Sequence, residues 1–294
     1  MMNDFAIFIM VHGRPEKMWT YNTLRKHGYT GKIYLVADDL DEKLDGYKEK
    51  YKDELIVFDK VKASKKMESG DNSGDLRSTL YSANTIFELA KERDIKYFFI
   101  MCDDYQLFAH NYNNGYKFVK TPVKNLDKVI IGMLEYYKKT SITTLAMAQG
   151  GDFIGGINGS QPDIQIKRKA MNTFLCSTER PFKFVGRLNE DVTTYIKLGG
   201  EGLLFFSLSN LRIQQNQHQK VKGGLTDVYL DFGTYVKSFF SVMYNPSCVK
   251  IAPMGKNKRI HHQVNWNNAV PKIIAEDYYD NMVEDESWEI YGEA

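Results

Sequence analysis

Four short apolar runs in the first hundred residues constrain this chain most. They are Phe5–Val11, "KIYLVADD" (Lys32–Asp39), Leu55–Phe58 and Tyr97–Cys102. Runs of this length, separated by turn residues and helical patterns, predict buried strands. Pro15 suits the first turn of a helix reaching His27. Asp75 opens another to Arg93, with Leu76, Leu80, Ala83, Ile86, Phe87 and Ala90 on one face. Between them "KVKASKKMESGDNSG" (Lys60–Gly74) is polar, basic and glycine-punctuated, and reads as a loop. Strands alternating with helices predict an α/β fold, a mostly parallel sheet covered on both faces.

Two of these strands end in paired acids, Asp38-Asp39 and Asp103-Asp104. In open α/β sheets, ligands bind in the crevice beyond the carboxyl ends of the strands. Acids crowded there repel one another unless something neutralises them. A hard cation such as Mg²⁺ or Mn²⁺ does so and also grips a diphosphate. For one pair taken alone, a helix cap or a solvated loop is the simpler account.

After Asp104 the pattern changes. Pro122–Lys139 reads as a helix and Ile142–Ala148 as a strand. "QGGDFIGGINGS" (Gln149–Ser160) packs five glycines into twelve residues. It lacks the Gly-Lys-Ser/Thr ending of a P-loop, so its glycines serve close backbone approach. Ile164–Arg168, Thr173–Cys176 and Leu203–Ser207 read as strands. In "GRLNEDVTTYIKLGG", from Gly186, Asn189 is placed to cap a helix that Gly199-Gly200 stops. Asp191 falls in its first turn, where the dipole favours the ionised form. Asp227–Tyr244 reads as a helix, and Ser247–Trp266 as two strands around a basic turn. No internal repeat is evident.

The formal net charge of +2 hides an asymmetry. Residues 276–294 carry eight acids and no Lys or Arg, which leaves 39 bases against 29 acids in residues 1–275, a balance of +10. A basic body suits a polyanionic partner such as nucleic acid or a nucleotide. For the tail alone, a solvated acidic terminus is the plainer account. At 43% hydrophobic over 294 residues, the chain can build one large core or two intimate ones. No apolar run approaches the ~20 residues needed to span a bilayer. The N-terminal "FAIFIMV" lacks the flanks of a signal peptide, so no membrane partner is expected. The cysteines, Cys102, Cys176 and Cys248, are odd in number and not at metal spacing. They point to a reducing cytoplasm and away from a zinc site.

The motif order has a counterpart. An acid pair closing a strand, then a glycine-rich loop, an "NED" and a late histidine resemble the nucleotide-sugar-dependent glycosyltransferases of the GT-A fold. "QGGDFIGG", "RPFKFVGRLNEDV", "GGLTDVYLDFGTYVKSFFSVMYNPSCVKI", "RIHHQVNW" and "VPKII" resemble the TET-associated glycosyltransferases of bacteriophages, over about residues 5–275. In phage genomes these stand beside oxygenases that make 5-hydroxymethylcytosine in DNA. The resemblance implies a GT-A-like α/β fold with a central, mostly parallel mixed sheet. Residues 1–148 would form a nucleotide-sugar half, 149–275 an acceptor and catalytic half, and 276–294 an acidic tail. It implies Mn²⁺ or Mg²⁺ as cofactor, a nucleotide sugar as donor and hydroxymethylated DNA as acceptor, in the host cytoplasm.

Residue by residue, it puts Asp103 and Asp104 at the metal and donor. The family's usual form is three consecutive acids, so Cys102 stands where the first is expected. Asp104 is then the surest metal contact, with Asp103 near the sugar or ribose. Asp191 matches the base of inverting enzymes, with Glu190, Gly150 and Gly151 on the acceptor side. One of His261 and His262 completes the metal site, His262 by preference. On a strand the two face opposite ways, so the other packs. Arg14, Asp38 and Asp39 sit where the family holds the nucleotide base and ribose. Arg77 and Asn84, seven apart on the expected helix, share a face that can offer Arg77 to the donor, although a surface salt bridge fits Arg77 as well. Phe153 and Phe174 lie where a base can stack, with core packing the more ordinary role. Rival readings use the same residue types. Carboxylates with histidines also build metal-dependent nucleases and phosphoesterases. A glycan or protein acceptor, or a non-catalytic nucleotide- or DNA-binding module, fits the same motifs.

Overall fold

The computed structural model describes residues 3–114, 118–149, 164–165, 172–215, 225–233, 235–254 and 258–274. Gly150, Gly151, Phe153 and the acidic tail lie outside them. The four N-terminal apolar runs form strands β1 (Phe5–Met10), β2 (Lys32–Asp38), β3 (Leu55–Phe58) and β4 (Tyr97–Cys102). They pair in parallel in the order β3-β2-β1-β4. The chain therefore steps outward from β1 to β3, then returns to the far side of β1. That reversal opens a crevice beyond the carboxyl ends of β1 and β4, where ligands of open α/β sheets bind.

The sheet continues with β9 (Thr173–Ser177), β7 (Thr144–Ala148), β10 (Phe205–Gln215), β5 (Tyr105–Asn113) and β6 (Phe118–Pro122), while β8 (Ile164–Gln165) joins β10. Followed through the pairings, β1, β2, β3, β4, β6, β7 and β10 point one way and β5, β8 and β9 the other. This mixed but mostly unidirectional sheet is the expected architecture.

Alternate residues of β1 build two cores, as the period of two requires. Ala6 and Phe8 pack with α4 (Leu80–Glu92) and α6 (Glu190–Gly200) through Leu80, Ile86, Val192 and Ile196. Phe5, Ile7 and Ile9 pack with α1 (Trp19–Lys26) and α5 (Leu126–Lys138) through Leu24, Ile130 and Leu134. Two short helices, α2 (Leu44–Tyr51) and α3 (Lys60–Ser64), follow β2 and β3. A C-terminal unit of α7 (Thr226–Phe232), α8 (Val236–Tyr244) and the antiparallel pair β11 (Val249–Met254) and β12 (Arg259–Val264) completes the fold. No helix among the described residues is long and apolar enough to cross a membrane.

Several elements differ from expectation for local reasons. The helix after Asp75 begins only at Leu80. The Asp75 carboxylate accepts the Arg77 N–H at 2.9 Å, and the Ser78 hydroxyl accepts the Leu80 N–H at 3.0 Å. Such side-chain bonds compete with the helical ladder. The helix after Pro15 likewise starts at Trp19, and the helix after Pro122 at Leu126. Lys60–Ser64, expected as loop, is helical because Asp59 caps it, accepting the Lys62 N–H at 2.7 Å. The expected single helix over 227–244 is two, broken at Gly233, whose φ of +81° favours glycine. Asn189 adopts φ 59°, and its amide donates to the Ser241 hydroxyl at 2.6 Å instead of capping α6. The β5–β6 hairpin carries no strong periodicity and was not anticipated.

Removing the cap of α3 should cost about 1 kcal/mol. Asp59→Ala is expected to lower the urea midpoint of unfolding accordingly, with an unchanged slope. A variant as stable as the parent would show that α3 does not depend on Asp59.

Candidate active site

A cleft of about 550 Å³ opens at the predicted crevice. Its floor is the carboxyl ends of β1, β2 and β4, and its walls are the start of α6, the α7–α8 unit and β12. Arg14, just past β1, reaches across to Asp103, just past β4. Its Nε donates to Oδ2 at 3.2 Å and its Nη2 to Oδ1 at 2.5 Å. Burial pushes Asp103 up to about 7 against the pull of the guanidinium, and the Asp104 charge adds to the rise. Arg14 can only donate, so the clamp is strongest with Asp103 ionised. Both Asp103 oxygens are engaged. That fits an anchor for Arg14 better than the metal ligand expected from sequence.

Asp104 lines the cleft and accepts a bond from Gln215 Nε2 at 3.3 Å. Cys102, where the family's first acid is expected, lines it too, with Sγ 3.9 Å from Asn172 Oδ1. Burial and the charges of Asp104, Asp103 and Glu190 hold its thiol well above its usual range. His261 and His262 both line the cleft, with ring centres 4.2 Å apart. The expectation that one of them packs away is not met. Among the described residues, no three His, Cys, Asp or Glu side chains are gathered to hold a metal by themselves. Mg²⁺-type sites commonly use one or two carboxylates and complete their shell with substrate phosphates. Asp104 with one of the two histidines fits that incomplete set, and a carboxylate–imidazole mixture suits Mn²⁺.

Helix α6 starts with Glu190 and Asp191, and both residues line the cleft. Burial, with the adjacent Asp191 charge, pushes Glu190 up to about 7, while the Thr79 bond and Lys237 act the other way. Thr79 Oγ1 donates a short hydrogen bond to Glu190 Oε1. Asp191 Oδ1 accepts the Val192 N–H at 2.8 Å. Burial and both carboxylates raise the Tyr229 phenol, which keeps its proton.

The second acid pair behaves differently from expectation. Asp38 is buried, with Oδ2 accepting from Lys60 Nζ at 3.0 Å and lying 3.2 Å from His12 Nδ1. Burial acts to raise Asp38, but His12 and Lys60 outweigh it and hold the carboxyl below its usual value. Asp39 is exposed and does not line the cleft. Its carboxylate accepts the Lys60 N–H at 2.9 Å, at the start of α3. Asp41, which also lines the cleft, is buried and accepts the Gly13 N–H at 2.7 Å and the Lys43 N–H at 2.8 Å.

Arg77 lines the cleft, but on the segment before α4, so it shares no helical face with Asn84. Its guanidinium binds Asp75 and Asp231, with Nη2 2.8 Å and Nη1 2.6 Å from their carboxylates. Asn84 exchanges two hydrogen bonds with the Phe184 backbone, and Phe174 packs in the core against the Phe184 ring. The sequence reading missed His12, Asp41, Thr79, Tyr229 and Lys237. Only His12 had a visible signal, its place directly after a buried strand.

The sequence pattern of the family described as TET-Associated Glycosyltransferase matches residues 5–224, most of the chain. The chain belongs to the TET-associated glycosyltransferase family. No curated protein matches it. Among solved structures, it is similar to S. aureus TarS 1–349 in complex with UDP, at 12% identity and a TM-score of 0.44, over 82% of this chain and 64% of that one. The UDP-GlcNAc complex gives 13%, 0.41, 81% and 66%. The chain thus spans less than two thirds of these S. aureus proteins. The mannosyltransferase PcManGT from Pyrobaculum calidifontis, in complex with GDP-Man and Mn²⁺, gives 9%, 0.44, 83% and 73%.

Lys60→Met would leave a buried carboxylate at Asp38 with only His12 and the Leu40 N–H as partners. Breaking a buried ion pair from one side costs about 3–5 kcal/mol. Asp38 has a depressed pKa, so its pairing stabilises the fold above the unfolded carboxylate value of about 4 and is lost as pH falls through the folded value. The destabilisation by Lys60→Met should therefore be large at pH 7 and shrink in acid. Denaturant titrations at both pH values check this, and an equal loss at both would refute the charge argument.

Proposed function

We propose that this chain moves a sugar from a nucleotide-sugar donor to the hydroxyl of 5-hydroxymethylcytosine in DNA, with a divalent metal assisting. The observation that carries the reading is one shared cleft. The Arg14–Asp103 clamp and Asp104 stand at the ends of β1 and β4, the two histidines on β12, and a second pair of carboxylates, Glu190 and Asp191, at the start of α6, and all of them line the same cleft. Residues 1–148 hold the donor and residues 149–275 the acceptor. Asp104 with His262 or His261 would hold Mn²⁺ or Mg²⁺, which neutralises charge on the departing diphosphate.

Arg14, fixed by Asp103, stands beside the donor at the reversal of the sheet, with His12 and the Asp38–Lys60 pair toward the nucleotide end. Asp191 accepts the proton of the acceptor hydroxyl as the sugar's anomeric carbon changes partner from phosphate oxygen to acceptor oxygen. Glu190, held by Thr79, and Tyr229, which keeps its proton, shape the acceptor side. Gly150 and Gly151 belong to that side in this reading. Family membership supports transfer to a DNA hydroxyl, and the +10 balance of residues 1–275 supports a polyanionic acceptor. Three free cysteines suit a reducing cytoplasm, that of the host if the gene is a phage's.

Asp104→Ala should abolish donor turnover and the Mn²⁺ dependence of nucleotide binding. Full activity of this variant in the presence of a chelator would remove metal assistance from the reading. Asp191→Asn keeps the shape and removes the basicity. Transfer should fall roughly 10²-fold or more, with donor affinity nearly unchanged. The assay is mass spectrometry of nucleosides from DNA carrying cytosine, 5-methylcytosine or 5-hydroxymethylcytosine, incubated with a panel of nucleotide sugars. A sugar adduct is expected on the hydroxymethylated base alone, since the other two offer no nucleophilic hydroxyl. Adducts on none of these DNAs, with transfer to a glycan or protein hydroxyl, would overturn the DNA acceptor.

A further inference from the structure

From Phe232 to Ala275 the sequence contains no Asp or Glu and six Lys or Arg, whereas the next 19 residues carry eight acids. The described part of this acid-free stretch folds mainly as α8 packed on the β11–β12 hairpin. The inner face of α8 buries Ser238, Phe240 and Ser241. Its outer face presents Tyr235, Phe239 and Met243, spaced four apart, at 48%, 50% and 53% exposure. Rings at two of these positions, Tyr235 and Phe239, meet edge to face at 6.2 Å. On and beside the hairpin, Lys250, Lys258 and Arg259 are exposed, and the ion pairs among the described residues include none of them. The same hairpin reaches into the cleft through His261 and His262.

The occupant must tolerate cations unrelieved by acids and also cover apolar rings. A second copy docked through the same patch is disfavoured, because a two-fold interface sets a patch against itself and here opposes like charges. A nucleic acid offers both complements, phosphates for the cations and base faces for the rings. We propose that the outer face of α8 and the β11–β12 hairpin form a platform for the acceptor strand. Phosphates lie at Lys250, Lys258 and Arg259, and unstacked bases lie against Tyr235 and Phe239. The inference deepens the DNA-acceptor reading and rests on it for its biological sense. It also gives a place for bases that are unpaired while a target base is brought out of the stack.

The test is fluorescence anisotropy with unmodified single-stranded and duplex oligonucleotides over a salt series. The double variant Lys250→Glu, Arg259→Glu should bind about tenfold or more weakly at low salt. Its log–log salt slope should be shallower by roughly one to two, because each phosphate contact contributes about 0.7–0.9. Phe239→Ala should weaken single-strand binding roughly fivefold or more, as loss of one stacking contact does, with the slope unchanged. All these side chains are exposed, and circular dichroism melting with donor-nucleotide binding monitors the fold.

DNA affinity and slope unchanged in both variants would overturn the proposal. So would heparin binding as tight as DNA binding with no effect of Phe239→Ala, which is the behaviour of a mere cation patch. A change in sedimentation of the protein alone on Phe239→Ala would reassign the stripe to self-association. Sugar transfer to hydroxymethylated DNA separates the two readings. Transfer by the parent with DNA affinity unchanged in the variants sinks the platform and leaves the acceptor standing. No transfer by the parent, with binding lost in the variants, sinks the acceptor and leaves the platform.

Discussion

The bond between Arg14 and Asp103 ties together the two strands whose separation makes the site. β1 and β4 are neighbours in the sheet but stand ninety residues apart in the chain, and the topology reverses between them. A two-point guanidinium–carboxylate fork fixes the relative position of their ends in distance and in plane. Other bonds converge on the same corner. Thr20, at the start of α1, donates its hydroxyl to the Cys102 carbonyl at 2.5 Å and its N–H to the Asp103 carbonyl at 3.2 Å, and accepts the Tyr105 N–H at 2.9 Å. The Arg14 N–H donates to the buried Tyr47 hydroxyl of α2 at 2.9 Å. Two helices and two strands thus meet at one corner, around the buried Asp103 and the Arg14 that it binds.

The two acid pairs resolve their crowding by the same rule. In each, the first acid is buried and paired with a base from another part of the chain, Asp38 with Lys60 and Asp103 with Arg14. A buried carboxylate without such a partner would be costly. The second acid is turned elsewhere, Asp39 to the backbone at the start of α3 and Asp104 to the cleft. Which way the second acid turns depends on what stands beside its strand end, the start of α3 across the sheet for Asp39 and an open crevice for Asp104.

The strands of the first half were legible because a parallel strand covered on both faces reads as an unbroken apolar run, and β1, β2, β3 and β4 all do. The hairpin of the C-terminal unit was legible from its basic turn. Asp104, Asp191 and the late histidines, expected from the family resemblance of their motifs, all line the cleft. Helix starts were misread where a short polar side chain outcompetes the ladder, as Asp75 and Ser78 do before α4. Arg77 fell with that misreading, since its expected face depended on a helix that begins three residues later. The β5–β6 hairpin and the partners Thr79 and Lys237 lay beyond reach for another reason. Each acquires its role from a contact made across the fold, and nothing in its own neighbourhood in the chain marks it.

Charge is also partitioned by place. The cleft gathers Asp38, Asp41, Asp103, Asp104, Glu190 and Asp191 within about 550 Å³, while Phe232–Ala275 contributes no acid at all. Acids concentrated in a cleft repel a polyanion and attract a cation, so DNA phosphates are unwelcome there and a divalent ion is welcome. An anionic donor can enter such a cleft only with cations beside it, which Arg14, Lys60 and a bound metal would supply. On the proposed reading, the backbone of a DNA acceptor would then lie outside the cleft, on a surface of opposite sign, and send in only the group that reacts. The acid-free stretch Phe232–Ala275 offers such a surface, and its hairpin is an element that also lines the cleft.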